Sequence, residues 1–165
     1  MNPKPQKRHQ AIVSFSKEHH FGLLLCWKIR NGLKNGVEIA RIKNYVLYIF
    51  EEDIAKHIRD EETLLFSQMP DDDPLIKRAI TEHQELHQII TAIKQSKEIK
   101  SLLNHFASKL ESHIRFEERV LLNYLQEKIA AEELEKISSR MPVNSKELDQ
   151  LWKDCFWEKK SLNDV

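Results

Sequence analysis

The sequence predicts an all-α protein: an up-down-up-down antiparallel four-helix bundle with an additional C-terminal helix. Three observations carry this. Only three Gly and five Pro occur in 165 residues, too little turn punctuation for a many-stranded sheet. Four long stretches place apolar residues at three- and four-residue steps, the stripe of an amphipathic helix. The connections between them are short, which makes sequential helices antiparallel neighbours.

The first helix is expected over residues 14–34, after a flexible basic leader at 1–11, and Asn35-Gly36 supplies the left-handed residue that ends it. A second is expected over 37–67 on Ile39, Ile42, Val46, Phe50, Ile54, Leu64 and Leu65. Met69-Pro70-Asp71-Asp72-Asp73-Pro74 is a break, with Asp73 as N-cap and Pro74 as first helical residue of the third helix, Pro74–Gln95. That helix is carried by Ile76, Ile80, Ile90 and Ile93. A polar turn at Ser96-Lys97-Glu98 leads to a fourth helix, 99–127, on Leu103, Phe106, Leu110, Val120, Leu121 and Tyr124. A short helix at Ala131–Arg140 follows. Beyond Pro142, Asn144 or Ser145 is expected to cap a last helix built on Leu148, Leu151, Trp152, Cys155 and Phe156. The expected division is leader 1–11, bundle 12–140 and helical extension 141–165.

Composition removes several functions. Lys+Arg and Asp+Glu balance at 26 each, without the basic surplus that displaces counterions from nucleic acid. Apolar runs such as Leu23 to Trp27 and Tyr45 to Phe50 are too short to span a bilayer, and the polar amino terminus lacks a signal-peptide pattern. Two cysteines, Cys26 and Cys155, are too few for a disulfide framework and suit a reducing, cytoplasmic setting. The oddity is eight histidines.

Their register is informative. On the second helix the core series Phe50, Ile54 continues through His57 and Glu61 to Leu64. On the third, Ile76 and Ile80 lead to His83 and His87, then Ile90. On the fourth, Phe106 and Leu110 lead to His113 and Glu117, then Val120. On the first, Ile12 and Phe15 lead to His19, then Leu23 and Cys26. Residues four apart stack on one helix face, so His57/Glu61, His83/His87 and His113/Glu117 are three pairs aimed at the bundle interior. Burying five imidazoles and two carboxylates without partners costs several kcal/mol for each ionised group. A metal offsets that cost.

Imidazole and carboxylate ligands without thiolate suit iron, manganese or zinc, and seven ligands exceed one tetrahedral zinc. Two octahedral ions offer about twelve positions; five imidazoles, two bridging carboxylates and a bridging hydroxide or oxide leave about one open. An open position on a redox metal in an apolar pocket suits a small ligand such as O2. The chain has no Glu-x-x-His motif, which disfavours the carboxylate-rich di-iron alternative.

The set Glu18-His19-His20, His57-Ile-Arg-Asp-Glu61-Glu62, Glu82-His83-Gln-Glu-Leu-His87 and His113-Ile-Arg-Phe-Glu117-Glu118, in this order over about residues 12 to 140, resembles the hemerythrin family in its HHE cation-binding branch. The resemblance implies a non-haem di-iron centre: His83, His87 and His113 on one iron, His19 and His57 on the other, Glu61 and Glu117 bridging, and exogenous ligand on the iron with two His. Oxygen-carrying members use an acidic residue five positions after the last His, where Glu118 stands here, so Glu118 is the alternative to Glu117. His20 is likewise the alternative to His19, which the apolar stripe favours. Glu62 reads as solvated or as a partner orienting a ligand.

The functional expectation is a protein binding O2 or another diatomic for sensing, storage or delivery, rather than an enzyme. The alternatives are an iron-dependent enzyme acting on nitric oxide, peroxide or damaged iron centres, and a metal-stabilised interaction module. His9 and His105 read as surface residues, and Cys26 and Cys155 as small core hydrophobes. Trp152, Phe156 and Trp157 read as packing on the bundle, with a homodimer contact as the alternative.

Overall fold

A computed structural model describes residues 7–141 and 148–158. Among the described residues every regular element is helical: α1 Gln10–Lys34, α2 Ile39–Ile49, α3 Ala55–Asp60, α4 Pro74–Gln95, α5 Ile99–Phe116, α6 Leu122–Lys128, α7 Ala131–Arg140 and α8 Leu148–Leu151. α2 and α3 form one rod with two π-turns, Phe50–Ile54 and Glu61–Leu65, and a 3-10 turn at Phe66–Gln68. α5 and α6 form another through the π-turn Glu117–Leu121. With α1 and α4 these rods make the expected four-helix bundle, and no helix among the described residues is long and apolar enough to cross a membrane.

The expected punctuation is in place. Gly36 has φ +68°, the left-handed value that ends a helix most cheaply as glycine. Asp73 caps α4, its Oδ1 accepting from the amides of Leu75 and Ile76 at 2.9 and 3.2 Å. α1 starts four residues earlier than expected because His9 caps it: His9 Nδ1 accepts from the Ala11 amide at 3.1 Å. His9 is therefore not a bare surface residue. Its Nε2 also meets Glu135 of α7 at 2.9 Å.

Two apolar clusters fill the bundle. One gathers Leu25, Ile29, Ile42, Ile54, Leu86, Ile93, Phe106 and Leu110; the other Ile12, Phe15, Leu65, Ile76, Phe116, Leu121 and Leu125. Each fully buried Ile, Leu or Phe contributes about 1.5–3 kcal/mol. Along all four rods the residues between the two clusters are the His/Glu set, so the polar side chains form one layer between two apolar ones.

Two expected core positions are corrected. Val120 is 44% exposed, while Leu121, also expected, is buried and Leu122 is buried beside it. The π-turn at Glu117–Leu121 inserts one residue into the helical count, so the stripe slips by one. Leu23 stands 36% exposed and Gly22 faces the interior in its place.

The C-terminal helix is shorter than expected, a single turn at Leu148–Leu151, and its Leu151 is 69% exposed. The proposed caps Asn144 and Ser145 lie outside the described residues. After α8 the chain leaves the helix because its aromatic side chains dock back on the bundle: Trp152 stacks on Tyr48 with ring centroids 4.7 Å apart, Phe156 is buried, and Lys28 Nζ lies 3.8 Å over the Trp157 ring. Arg41 clamps Asp154 through two hydrogen bonds of 2.8 and 2.5 Å. Cys26 is buried, donating to the Ala107 carbonyl, and Cys155 is partly exposed, its Sγ 3.7 Å from the Trp152 carbonyl oxygen.

Candidate metal centre

Each rod places one histidine and at least one carboxylate in the polar layer. His19 comes from α1, His57 and Glu61 from the α2–α3 rod, His83 from α4, and His113 and Glu117 from the α5–α6 rod. Both inner carboxylates start a π-turn, a device found mostly at functional sites. The extra residue in the turn lets two consecutive carboxylates grip one imidazole from both sides.

The inner contacts converge. His57 Nε2 lies 2.8 Å from Glu61 Oε1, and His83 Nε2 lies 3.2 Å from Glu61 Oε2 and 3.3 Å from Glu117 Oε1. His19 Nε2 lies 2.9 Å from Glu117 Oε2 and 3.2 Å from His57 Nε2. His113 Nε2 contacts Glu117 Oε1. Glu61 and Glu117 are 1% and 0% exposed.

The outer contacts repeat one rule: every inner histidine offers its Nδ1 to a carboxylate on a neighbouring rod. His19 Nδ1 meets Glu118 Oε1 at 2.7 Å and His83 Nδ1 meets Glu62 Oε1 at 2.8 Å. His57 Nδ1 meets Glu18, and His113 Nδ1 meets Glu82 at 3.4 Å. The ring closes: α1 serves the α2–α3 rod, that rod serves α4, α4 serves the α5–α6 rod, and that serves α1. An imidazole whose Nδ1–H donates outward turns the Nε2 lone pair inward, the tautomer a metal ligand needs.

The electrostatics favour a cation at the centre. Burial alone would lower the histidines, but the surrounding carboxylates outweigh it. The charge of Glu61 and hydrogen bonds to Glu18 and Glu61 hold His57 up at about 10. Glu117, Glu61 and Glu62 hold His83 up at about 11, and the carboxylates around His19 and His113 raise both of these as well. Burial pushes Glu61 up, yet His57, His19 and His83 hold it well below the usual carboxylate range; Glu117 is also held low, against burial and the charge of Glu61, by His113 and His19.

The residues fit a metal. Both oxygens of Glu61 and Oε2 of Glu117 are buried with only imidazole Nε2 atoms against them; once those nitrogens turn bare lone pairs inward nothing donates to these oxygens, an expensive arrangement unless a cation takes them up. Two overlapping groups each bring four ligand atoms within 4.8 Å of one another: His19, His57, Glu61 and Glu117; and Glu61, His83, His113 and Glu117. They share both carboxylates.

Six of the seven residues expected from sequence thus come together. The seventh, His87, lies one turn beyond His83, exposed and edge-on to Phe50 with centroids 5.0 Å apart. Among the alternatives, His20 is exposed beside Phe21, and Glu118 binds the outer nitrogen of His19 rather than the interior. Glu62 orients His83. A model of the hemerythrin HHE cation binding domain matches residues 10–125. The chain belongs to this family. No curated protein and no solved structure matches it.

Within this hemerythrin-like bundle, sequence reasoning missed Glu18 and Glu82 as outer partners. A signal for them exists. The pattern Glu-His followed by His-x-x-x-Glu-Glu occurs twice, as Glu18-His19 with His57…Glu61-Glu62 and as Glu82-His83 with His113…Glu117-Glu118. The contacts follow that duplication: Glu61 and Glu62 take the two ring nitrogens of His83 as Glu117 and Glu118 take those of His19. His87 breaks it, since Leu23 stands at the equivalent place four residues after His19.

A small cavity of about 30 Å3 opens beside the layer, lined by His19, His57 and His113 with Gly22, Ile54, Ile58, Leu86, Leu110 and Ile114. That volume is of the order of one water-sized or diatomic guest. Gly22 makes room for it, because a Cβ there would stand 2.6 Å from Ile114 Cδ1.

Proposed function

We propose that the polar layer holds two non-haem iron ions and presents one of them to a diatomic gas, O2 or a ligand like it. Glu61 and Glu117 would bridge the ions, His19 and His57 would hold the first, and His83 and His113 the second, which His87, exposed one turn beyond His83, would join by turning its ring inward. The observation that carries this reading is the pair of fully buried carboxylates, shared by both four-residue groups and each facing histidines of both halves. One shared ion would leave half of the Nε2 atoms unengaged; two ions use all of them. Imidazole and carboxylate donors suit iron, and the iron pair supplies the redox change that binds a diatomic.

The chain's own residues do the rest. The outer glutamates keep every Nε2 turned inward. The duplication places a histidine, His87, on the second half and an apolar residue, Leu23, on the first, so the first half has fewer ligands and keeps a position open. The cavity lies against His19, His57 and His113, with Glu18 and Asp53 also in its lining, and its volume of about 30 Å3 admits little beyond a water-sized or diatomic guest. Binding for sensing, storage or delivery fits this small site better than turnover of a larger substrate, and a chain with only two cysteines suits a reducing compartment such as the cytoplasm.

The test is the optical spectrum of the anaerobically iron-loaded protein before and after exposure to air. The proposal expects charge-transfer bands that appear with O2 and no catalytic consumption of peroxide or nitric oxide. Loaded protein whose spectrum ignores O2 contradicts gas binding, and multiple turnovers per chain place it among enzymes.

A further inference from the structure

We propose that Arg8, which precedes the stretch matched by the family, is a positioning residue for the ligand His19; the inference rests on the two-ion reading of the layer. The Arg8 guanidinium grips one residue at two places. Its NH1 donates to Glu118 Oε2 at 2.8 Å and its NH2 to the Glu118 backbone carbonyl at 2.8 Å. NH1 also donates to Ser16 Oγ on α1 at 3.0 Å. The other carboxylate oxygen, Glu118 Oε1, accepts from His19 Nδ1 at 2.7 Å. Arg8, Glu118 and His19 therefore form a continuous hydrogen-bonded chain from the surface to the polar layer.

Four side chains play the outer role, and they are not held alike. Glu82 is held by Arg78 from its own helix, Nε to Oε2 at 3.0 Å. Glu62, the counterpart of Glu118 in the duplicated pattern, forms no arginine ion pair among the described residues. Glu118 is clamped by a residue 110 positions away in sequence. The clamp is local in space: fixing both oxygens of a carboxylate leaves it one orientation, and that orientation fixes the plane and tautomer of the His19 ring. Arg8 thus acts on the half of the layer formed by His19 and His57 and leaves the His83/His113 half alone. The N-terminal arm is where a change in this chain would tune one metal position without touching a ligand.

The experiment loads the full chain anaerobically with cobalt(II), follows its visible d–d bands, and challenges it with a chelator. Outer-partner changes typically cost 10–100-fold in metal affinity. Glu118→Gln should weaken one of two cobalt ions by that factor and change its bands. Arg8→Ala should weaken the same ion by about tenfold, at the low end of that range, and Arg8→Lys should restore part of the loss. Because Arg8 acts through Glu118, the double variant should bind no worse than Glu118→Gln alone. Far-UV circular dichroism of the metal-free proteins checks folding, and Arg8→Lys with Glu118→Gln carries the comparison if Arg8→Ala loses helicity. Wild-type protein that binds two ions while Arg8→Ala behaves identically overturns the clamp alone. A double variant whose loss is the product of the two single losses also overturns it, since Arg8 would then act independently of Glu118. Wild-type protein that takes up no cobalt overturns the two-ion reading and this inference with it.

Discussion

Gly22→Ala separates the metal from its guest. The new Cβ would stand 2.6 Å from Ile114 Cδ1, with Leu110 Cδ2 at 4.0 Å behind it. Carbon atoms sit comfortably at about 3.5–4.0 Å, so the Ile114 methyl must move by about 1 Å. The free space within reach is the cavity of about 30 Å3, and a displaced methyl fills most of it. Such overpacking costs about 1–3 kcal/mol, while alanine is better than glycine inside a helix by about 1 kcal/mol. The net change in stability is then a loss of about 0–2 kcal/mol, small enough for a folded protein. A diatomic entering the site must push the methyl back against the same strain, which lowers its affinity roughly 5- to 150-fold. Thermal unfolding, metal content, and titration of the iron-loaded protein with nitric oxide read the three quantities separately. Full metal content with wild-type nitric oxide affinity would refute the placement of the guest in this cavity.

Glu61→Ala removes a ligand shared by both halves, so metal content after desalting should fall from two ions to one or fewer; a variant that keeps two shows that Glu61 bridges nothing. Asp73→Ala should cost about 1 kcal/mol through loss of the α4 cap, read by chemical denaturation. The Tyr124 hydroxyl, with the amides of Ile76 and Leu75, holds the Asp73 carboxyl below its ordinary value of 3.8. The sign follows: its stabilisation is complete above that value and is lost as the pH falls through the lower folded value. Wild type should therefore lose more stability than Asp73→Asn between pH 4 and the acid limit (roughly two pH units for a depressed carboxylate), and parallel curves would refute the linkage. Phe156→Ala should destabilise the protein by about 3 kcal/mol without changing metal content, because the C-terminal segment it anchors packs on Tyr45 and Tyr48 rather than on the polar layer.

The bundle was legible because its punctuation is sparse and placed at helix ends: Gly36, Asp73 and Pro74 each sit where backbone geometry asks for them. The inner layer is legible because His19, His57, His83, His113, Glu61 and Glu117 keep an apolar register, and the structure brings these six together. What escaped reading has physical causes. A π-turn adds one residue that a 3.6-residue period does not contain, so the period places Val120 in the core beside Leu121, where the structure buries Leu121 and Leu122. The same turns let Glu62 and Glu118 reach a neighbouring rod, a contact between distant residues that spacing along one helix does not encode. Arg8 was assigned to a flexible leader because a short basic segment carries no periodicity. Its partner, Glu118, is 110 positions away. Leu151 was counted as apolar helix, whereas docking of Trp152 and Phe156 on the bundle ends α8 after one turn.

The central claim is that one buried layer, with Glu61 and Glu117 shared between two pairs of histidines, holds two metal ions. The most direct measurement is elemental analysis of the full chain after anaerobic loading with ferrous iron and removal of the excess. The account predicts two irons per chain. One iron per chain, or none, would contradict it.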